Sequence, residues 1–249
     1  MSISARSQIA ILWWAIAFMV VWALAFLFLL HMVPPPPATD SAEQVAHWYQ
    51  NRSTSIKIGA TLSGLTSAFM LPFWAVVACQ IWRQEKGPPI WTIVSAAAGT
   101  MMSLFITFCP IFWGVAAFTP YRAPEITAIM HQLGVLAFVT TDQFSPFCWA
   151  AVAVVCFIPQ PAPHSPFPRW LGYLSIWTAL IFEAGAAAFN FNKGPLAWNG
   201  LLVYWAPLVF FGVWLIVMCP LLFKNLKLQL RDAQAAEAAT KAEAAEAAG

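Results

Sequence analysis

Charge is scarce in this chain. Asp, Glu, Lys and Arg together make up 9% of its 249 residues, where soluble domains carry roughly 25%, and that shortage excludes a solvated globular fold. Sustained alternation of apolar and polar residues is missing too. Ile9 to Val33 is apolar nearly throughout, whereas strands of a membrane barrel alternate over segments of about ten residues. The sequence holds no phosphate-cradling glycine loop, no nucleophile elbow and no metalloprotease helix. Its loops are too short for a soluble catalytic domain. The five cysteines, Cys79, Cys109, Cys148, Cys156 and Cys219, form no CxxC pair and read as small apolar residues within or beside apolar stretches. His31, His47, His131 and His164 lack any short ligand spacing, so no metal, haem or other cofactor is expected.

What the chain has in abundance is apolar length. It is 61% hydrophobic, with a mean hydropathy of +0.70. Apolar stretches at about 9–33, 58–82, 90–117, 133–158, 170–189 and 200–223 each approach the roughly 20 residues that a helix needs to cross hydrocarbon. The fold class expected is an all-α polytopic membrane protein: a six-helix transmembrane domain over 1–223 and an Ala/Glu-rich tail over 224–249. The first stretch is much longer than the apolar core of a secretory signal and ends in Pro34 to Pro37, so it reads as a retained anchor. With the N-terminus inside, Arg6, Arg83, Lys86, Arg169, Lys224, Lys227 and Arg231 fall on the inner face and Arg52, Lys57, Arg122 and Lys193 on the outer. The excess of Lys and Arg inside places both termini in the cytoplasm.

Three segments between or after the spans have patterns of their own. In the first outer loop, Ser41 with Gln44 three residues on is a capping-box pattern, followed by Trp48 and Tyr49, aromatics suited to a membrane interface. A short helix on the membrane surface is expected, acting either as a stiff connector or as a lid. In the second outer loop, Pro124 and Glu125 suit a first helical turn and bring Arg122, Glu125 and His131 near one surface. The tail is rich in the strong helix formers Ala and Glu, with Glu237 four residues before Lys241. A partly helical cytoplasmic extension, fraying toward its end, is expected.

Two carboxylates interrupt the apolar stretches. Asp142 lies in Thr140-Thr141-Asp142-Gln143-Phe144-Ser145-Pro146, and Pro146 cannot donate to the carbonyl of Asp142, so a break is expected beside it. Glu183 lies in the fifth stretch at similar depth, followed by the small residues Ala184-Gly185-Ala186-Ala187-Ala188 that let helices approach closely. An ionisable group in hydrocarbon is a functional candidate by default. His131 precedes Asp142 by eleven residues, nearly the same helical face. Asp142 and Glu183 thus read as a candidate acid and base, with His131 as orienter or proton route. The alternative is that each carboxyl simply ties helices together by hydrogen bonding.

The stretch Arg169-Trp170-Leu171-Gly172-Tyr173, then Gly194-Pro195-Leu196-Ala197-Trp198-Asn199-Gly200 and Trp205-Ala206-Pro207, resembles a group of uncharacterised six-helix bacterial integral membrane proteins. The resemblance implies a six-helix fold in a bacterial inner membrane and transfers no catalytic residue. The leading expectation is an outward-opening polar cavity that binds, and in one version transforms by acid–base chemistry, a small apolar or amphipathic molecule from the bilayer. Two others stay open: a structural or accessory subunit of a larger membrane complex, and a proton- or cation-coupled transporter. Enzyme activity is left undecided. Expected partners are the lipid bilayer, a small apolar ligand, and membrane proteins or further copies of the chain; nucleic acid is not among them.

Overall fold

A computed structural model describes residues 4–118 and 121–247, with the side chains of 141, 142 and 247 outside the description. Its regular structure is helical, and no strand occurs among the described residues. Helix α1 (Ala5–Leu24) runs into a π turn over Ala25–Leu29; the short α2 (Ala42–Gln50) follows. Then α3 (Ser53–Thr66) joins α4 (Met70–Trp82) through a 3-10 turn over Ser67–Phe69. The unbroken α5 is Ile90–Phe118. Next, α6 (Pro124–Thr140) joins α7 (Ser145–Phe157) through a 3-10 turn over Thr141–Phe144. Helix α8 (Arg169–Phe182) continues as 3-10 over Glu183–Asn190, and a π turn over Leu201–Trp205 leads into α9 (Ala206–Ala247).

Five stretches among the described residues are long and apolar enough to cross a membrane: Ala5–Leu29, Ser53–Trp82, Ile90–Phe118, Arg169–Asn190 and Leu201–Glu246. This is the signature of a multi-pass helical membrane protein. Helices α1 and α3 begin several residues before their apolar stretches, because polar residues supply their first turns. Ser4, for instance, accepts the Ser7 amide at the start of α1. The breaks have a common local cause. Pro72, Pro146 and Pro207 cannot donate to the carbonyls of Ala68, Asp142 and Val203, and each of these carbonyls lies in a non-α turn. Pro110 sits inside continuous α5.

The bundle has two closed ends. At the tail end, buried glutamines cross-link three helices. Gln80 donates to Gln8 (2.7 Å), and Gln229 donates to Gln80 (2.9 Å) and to the His164 carbonyl (3.0 Å). Gln84 meets Ala162 through both its amide atoms. Glu85 accepts the Trp91 and Thr92 amides at 2.8 and 2.9 Å, a carboxylate at the positive end of α5. Beyond this knot α9 continues in one piece, fully exposed from Arg231 to Glu246. Ala and Glu extend a helix already nucleated inside the bundle, and α9 is regular as far as Ala247. Glu237 and Lys241 pair at 2.6 Å.

Large indoles fill the tail-end half of the interior. Trp74 stacks on Trp214 (5.3 Å between ring centroids), which meets Trp149 edge-on (6.2 Å). Gly99 permits this: a Cβ there would lie 2.3 Å from the Trp74 Cβ. Replacing a helical glycine by alanine ordinarily stabilises by about 0.5–1 kcal/mol. Thermal unfolding in detergent should therefore separate two such changes. Gly64→Ala, whose added Cβ meets nothing within 4 Å, raises the midpoint; Gly99→Ala lowers it.

Candidate functional site

At the opposite end, residues 30–52 form a strap over the bundle. Ser41 accepts the Gln44 amide (3.3 Å) while the Gln44 side chain accepts the Ser41 amide (2.7 Å), so the capping box is present and starts α2 as its sequence pattern requires. Three buried bonds seat the strap. Trp198 Nε1 donates to the Pro36 carbonyl at 2.9 Å. Tyr204 donates its hydroxyl to the Met32 carbonyl. The Tyr49 hydroxyl meets His131 Nδ1 at 3.0 Å. Burial pushes the Tyr49 phenol well above its ordinary pKa, so the hydroxyl keeps its proton and can donate to Nδ1, the arrangement in which the imidazole proton sits on Nε2. That Nε2 has no well-aligned partner; the Pro36 carbonyl is its polar neighbour.

His131 is thus 1% exposed, boxed in by the rings of Trp48, Tyr49 and Trp198. On the strap, His31 Nε2 and Ser55 Oγ lie 3.2 Å apart, and Ser55 donates to the Leu29 carbonyl. Burial, with the Arg52 charge adding to it, lowers the His31 pKa. Arg52 also lies over the Trp48 ring, 4.9 Å from its centroid. The strap is therefore held down at several points, and the residues that hold it were not singled out from the sequence as anchors.

Asp142 stands on the 3-10 turn joining α6 to α7; its side chain lies outside the described residues. Glu183 opens the 3-10 segment after α8, with an exposed side chain. The backbones of these two segments pack against each other. His131 is engaged with Tyr49.

Beneath the strap lies a cavity of about 590 Å³, within the size range of small-molecule sites. Aromatic and aliphatic side chains make its wall: Trp22 and Phe26 stack at 4.9 Å, and Phe138 lies 5.2 Å from Phe26. Phe69, Phe105 and Phe211 extend that wall. Its described polar contributors are few, chiefly Ser145 and the Tyr204 hydroxyl that is already bonded to Met32. Among the described lining residues there is no Asp, Glu, Lys, Arg or His. Ser145 and Phe182, which flank the turns bearing Asp142 and Glu183, both reach this wall. Such a surface binds hydrocarbon and offers little to water, which needs two to four polar partners. No cluster of His, Cys, Asp and Glu able to hold a metal occurs among the described residues.

The sequence drew attention to charge. The cavity is built from Trp22, Phe26, Phe138 and Phe211, which no local pattern distinguishes from ordinary core. Comparison with known protein families, curated proteins and solved structures finds no match to this chain.

Tyr49→Phe leaves His131 Nδ1 buried without a partner, a loss of about 1–3 kcal/mol. The expected result is a lower unfolding midpoint together with faster proteolytic cutting within residues 33–41. A variant as stable and resistant as the parent would show that packing alone seats the strap.

Proposed function

We propose that this protein is a six-span membrane bundle whose apolar cavity binds a small apolar or amphipathic molecule drawn from the bilayer. The observation that carries the reading is the cavity itself: about 590 Å³, walled by aromatic and aliphatic side chains. Helices α6 and α7 supply the sixth crossing. His131 of α6 is bonded at the strap end, while the segment after α7 is bonded through Ala162 and Pro163 at the tail end. The distribution of Lys and Arg supports both termini on the cytoplasmic side, with the strap outside. The bacterial inner-membrane setting rests on the sequence resemblance.

Acid–base chemistry on the bound molecule is a further part of this proposal. Its support is that the turns carrying Asp142 and Glu183 pack together and that their neighbours Ser145 and Phe182 reach the cavity wall. A second reading, an accessory subunit of a larger complex, is favoured by a separate feature. Trp170, Tyr173, Trp177 and Leu180 form an exposed stripe on α8, each at least 52% exposed, at the spacing of one helical face.

Gly212 makes the binding reading testable. It lines the cavity, and a Cβ added there meets nothing within 4 Å. Gly212→Leu should occupy part of the void while leaving the helix intact or more stable. Native mass spectra of the protein in mild detergent, its own lipids retained, should show a bound small molecule on the parent that is lost from a folded Gly212→Leu variant. A parent without bound mass, or one held only in a complex of several different chains, would favour the accessory-subunit reading. If acid–base chemistry occurs, Asp142→Asn and Glu183→Gln change the identity of the bound molecule without unfolding the protein. An unchanged mass removes the chemistry and leaves binding.

A further inference from the structure

We infer that the cavity is loaded sideways, between α1 and α9, and that its occupant is a hydrocarbon chain of a membrane lipid. This rests on the proposal of an apolar binding cavity and adds the route and the ligand class.

The route follows from where the molecule is closed. At the strap end, the Trp198–Pro36, Tyr204–Met32 and Tyr49–His131 bonds hold residues 32–49 across the bundle, and Val33 and Tyr204 form part of the cavity wall beneath them. At the tail end, the Gln8–Gln80–Gln229 chain ties α1, α4 and α9 together. Trp13 lies 4.8 Å from Phe223 across α1 and α9. The stacked indoles of Trp74 and Trp214 fill the space between. Neither aqueous side has an open path.

The flank is different. The exposed members of the described lining are Ala23, Leu27 and Ile216, with Leu27 42% and Ile216 74% exposed. All three lie on α1, its π turn or α9. Ile16 and Met19 of α1, with Leu208 and Gly212 of α9, continue this rim in half-buried form. The rim is apolar along its length. In a bilayer it faces acyl chains rather than water, and the solvent that reaches this opening is hydrocarbon. A flexible apolar chain can enter such a slot without carrying a charge across hydrocarbon, and the wall has no described ionic group to bind a headgroup. The headgroup therefore stays outside the cavity while one chain occupies it.

The test uses the full-length protein in phosphatidylcholine vesicles containing a few per cent phosphatidylcholine with a diazirine at mid-chain. After irradiation, peptide mass spectrometry maps the adducts. Expected are adducts on wall residues such as Phe105, Phe138 and Phe211, at least tenfold reduced in Gly212→Leu, while adducts on lipid-facing Trp177 and Ile93 persist. Ala23→Trp and Leu27→Trp, which add bulk at the rim alone, should slow the appearance of wall adducts without lowering the thermal midpoint. Adducts confined to outward residues in the parent would overturn the inference. If native spectra still show a bound non-lipid molecule in that case, cavity binding survives and only the lipid chain and its route fail. If they show nothing bound, both fail together.

Discussion

A proline nitrogen has no hydrogen to give the carbonyl four residues behind it, and the architecture around the cavity depends on that. Pro72, Pro146 and Pro207 each follow a short non-α segment containing the carbonyl they cannot satisfy. These segments gather around one volume. Phe69 belongs to the first, Ser145 follows directly on the second, and Val203 and Tyr204 belong to the third; all four line the cavity. The π turn of Ala25–Leu29 contributes Phe26 and Leu27 to the same wall. Three continuous rods in place of the broken helices would pack ridge into groove along their length. Offsets at four places leave a gap that side chains line without filling. Irregular backbone of this kind is tolerated at membrane depth where protein surrounds it.

The strap and the glutamine knot complete the arrangement by closing its two ends with different chemistry. At the tail end, amides pair with amides and with loop carbonyls, so the buried polar atoms of Gln80 are all engaged. At the strap end, single indole and phenol donors reach backbone carbonyls exposed by the Pro34–Pro37 run. Proline-rich backbone has few amide donors of its own, which leaves such carbonyls free to accept from outside. Trp198 and Tyr204 use two of them, one within that run and one just before it.

Much of this was legible in the sequence, for reasons that stay local. Apolar length located the membrane helices, Ser41 and Gln44 announced the start of α2, and Pro146 marked the turn at Thr141–Phe144. The site was far less legible. Asp142, Glu183 and His131 stood out because ionisable groups are rare in such stretches, yet His131 is enclosed by Tyr49, which is 82 residues distant in sequence, and Glu183 is exposed. Trp22, Phe138 and Gly212 were inconspicuous. In sequence an apolar side chain that borders a void is indistinguishable from one that is fully packed, because the difference lies in what the neighbouring helices fail to supply.

The size of that void bears on what fills it. Unfilled volume in protein cores destabilises in proportion to its size, so an apolar volume of about 590 Å³ is unfavourable when nothing enters it. Water would be a poor filler, since each molecule needs two to four polar partners and the described wall supplies few. Hydrocarbon restores the dispersion contacts that the wall side chains lack, and a lipid chain already lies beside Leu27 and Ile216 in any bilayer. Collapse of the helices is the other escape, but the pairings at the two ends and the indoles of Trp74 and Trp214 prop the bundle at a fixed width. On the proposed reading, a propped, apolar, laterally open volume favours hydrocarbon as its filler, and the occupant would then be part of the folded protein.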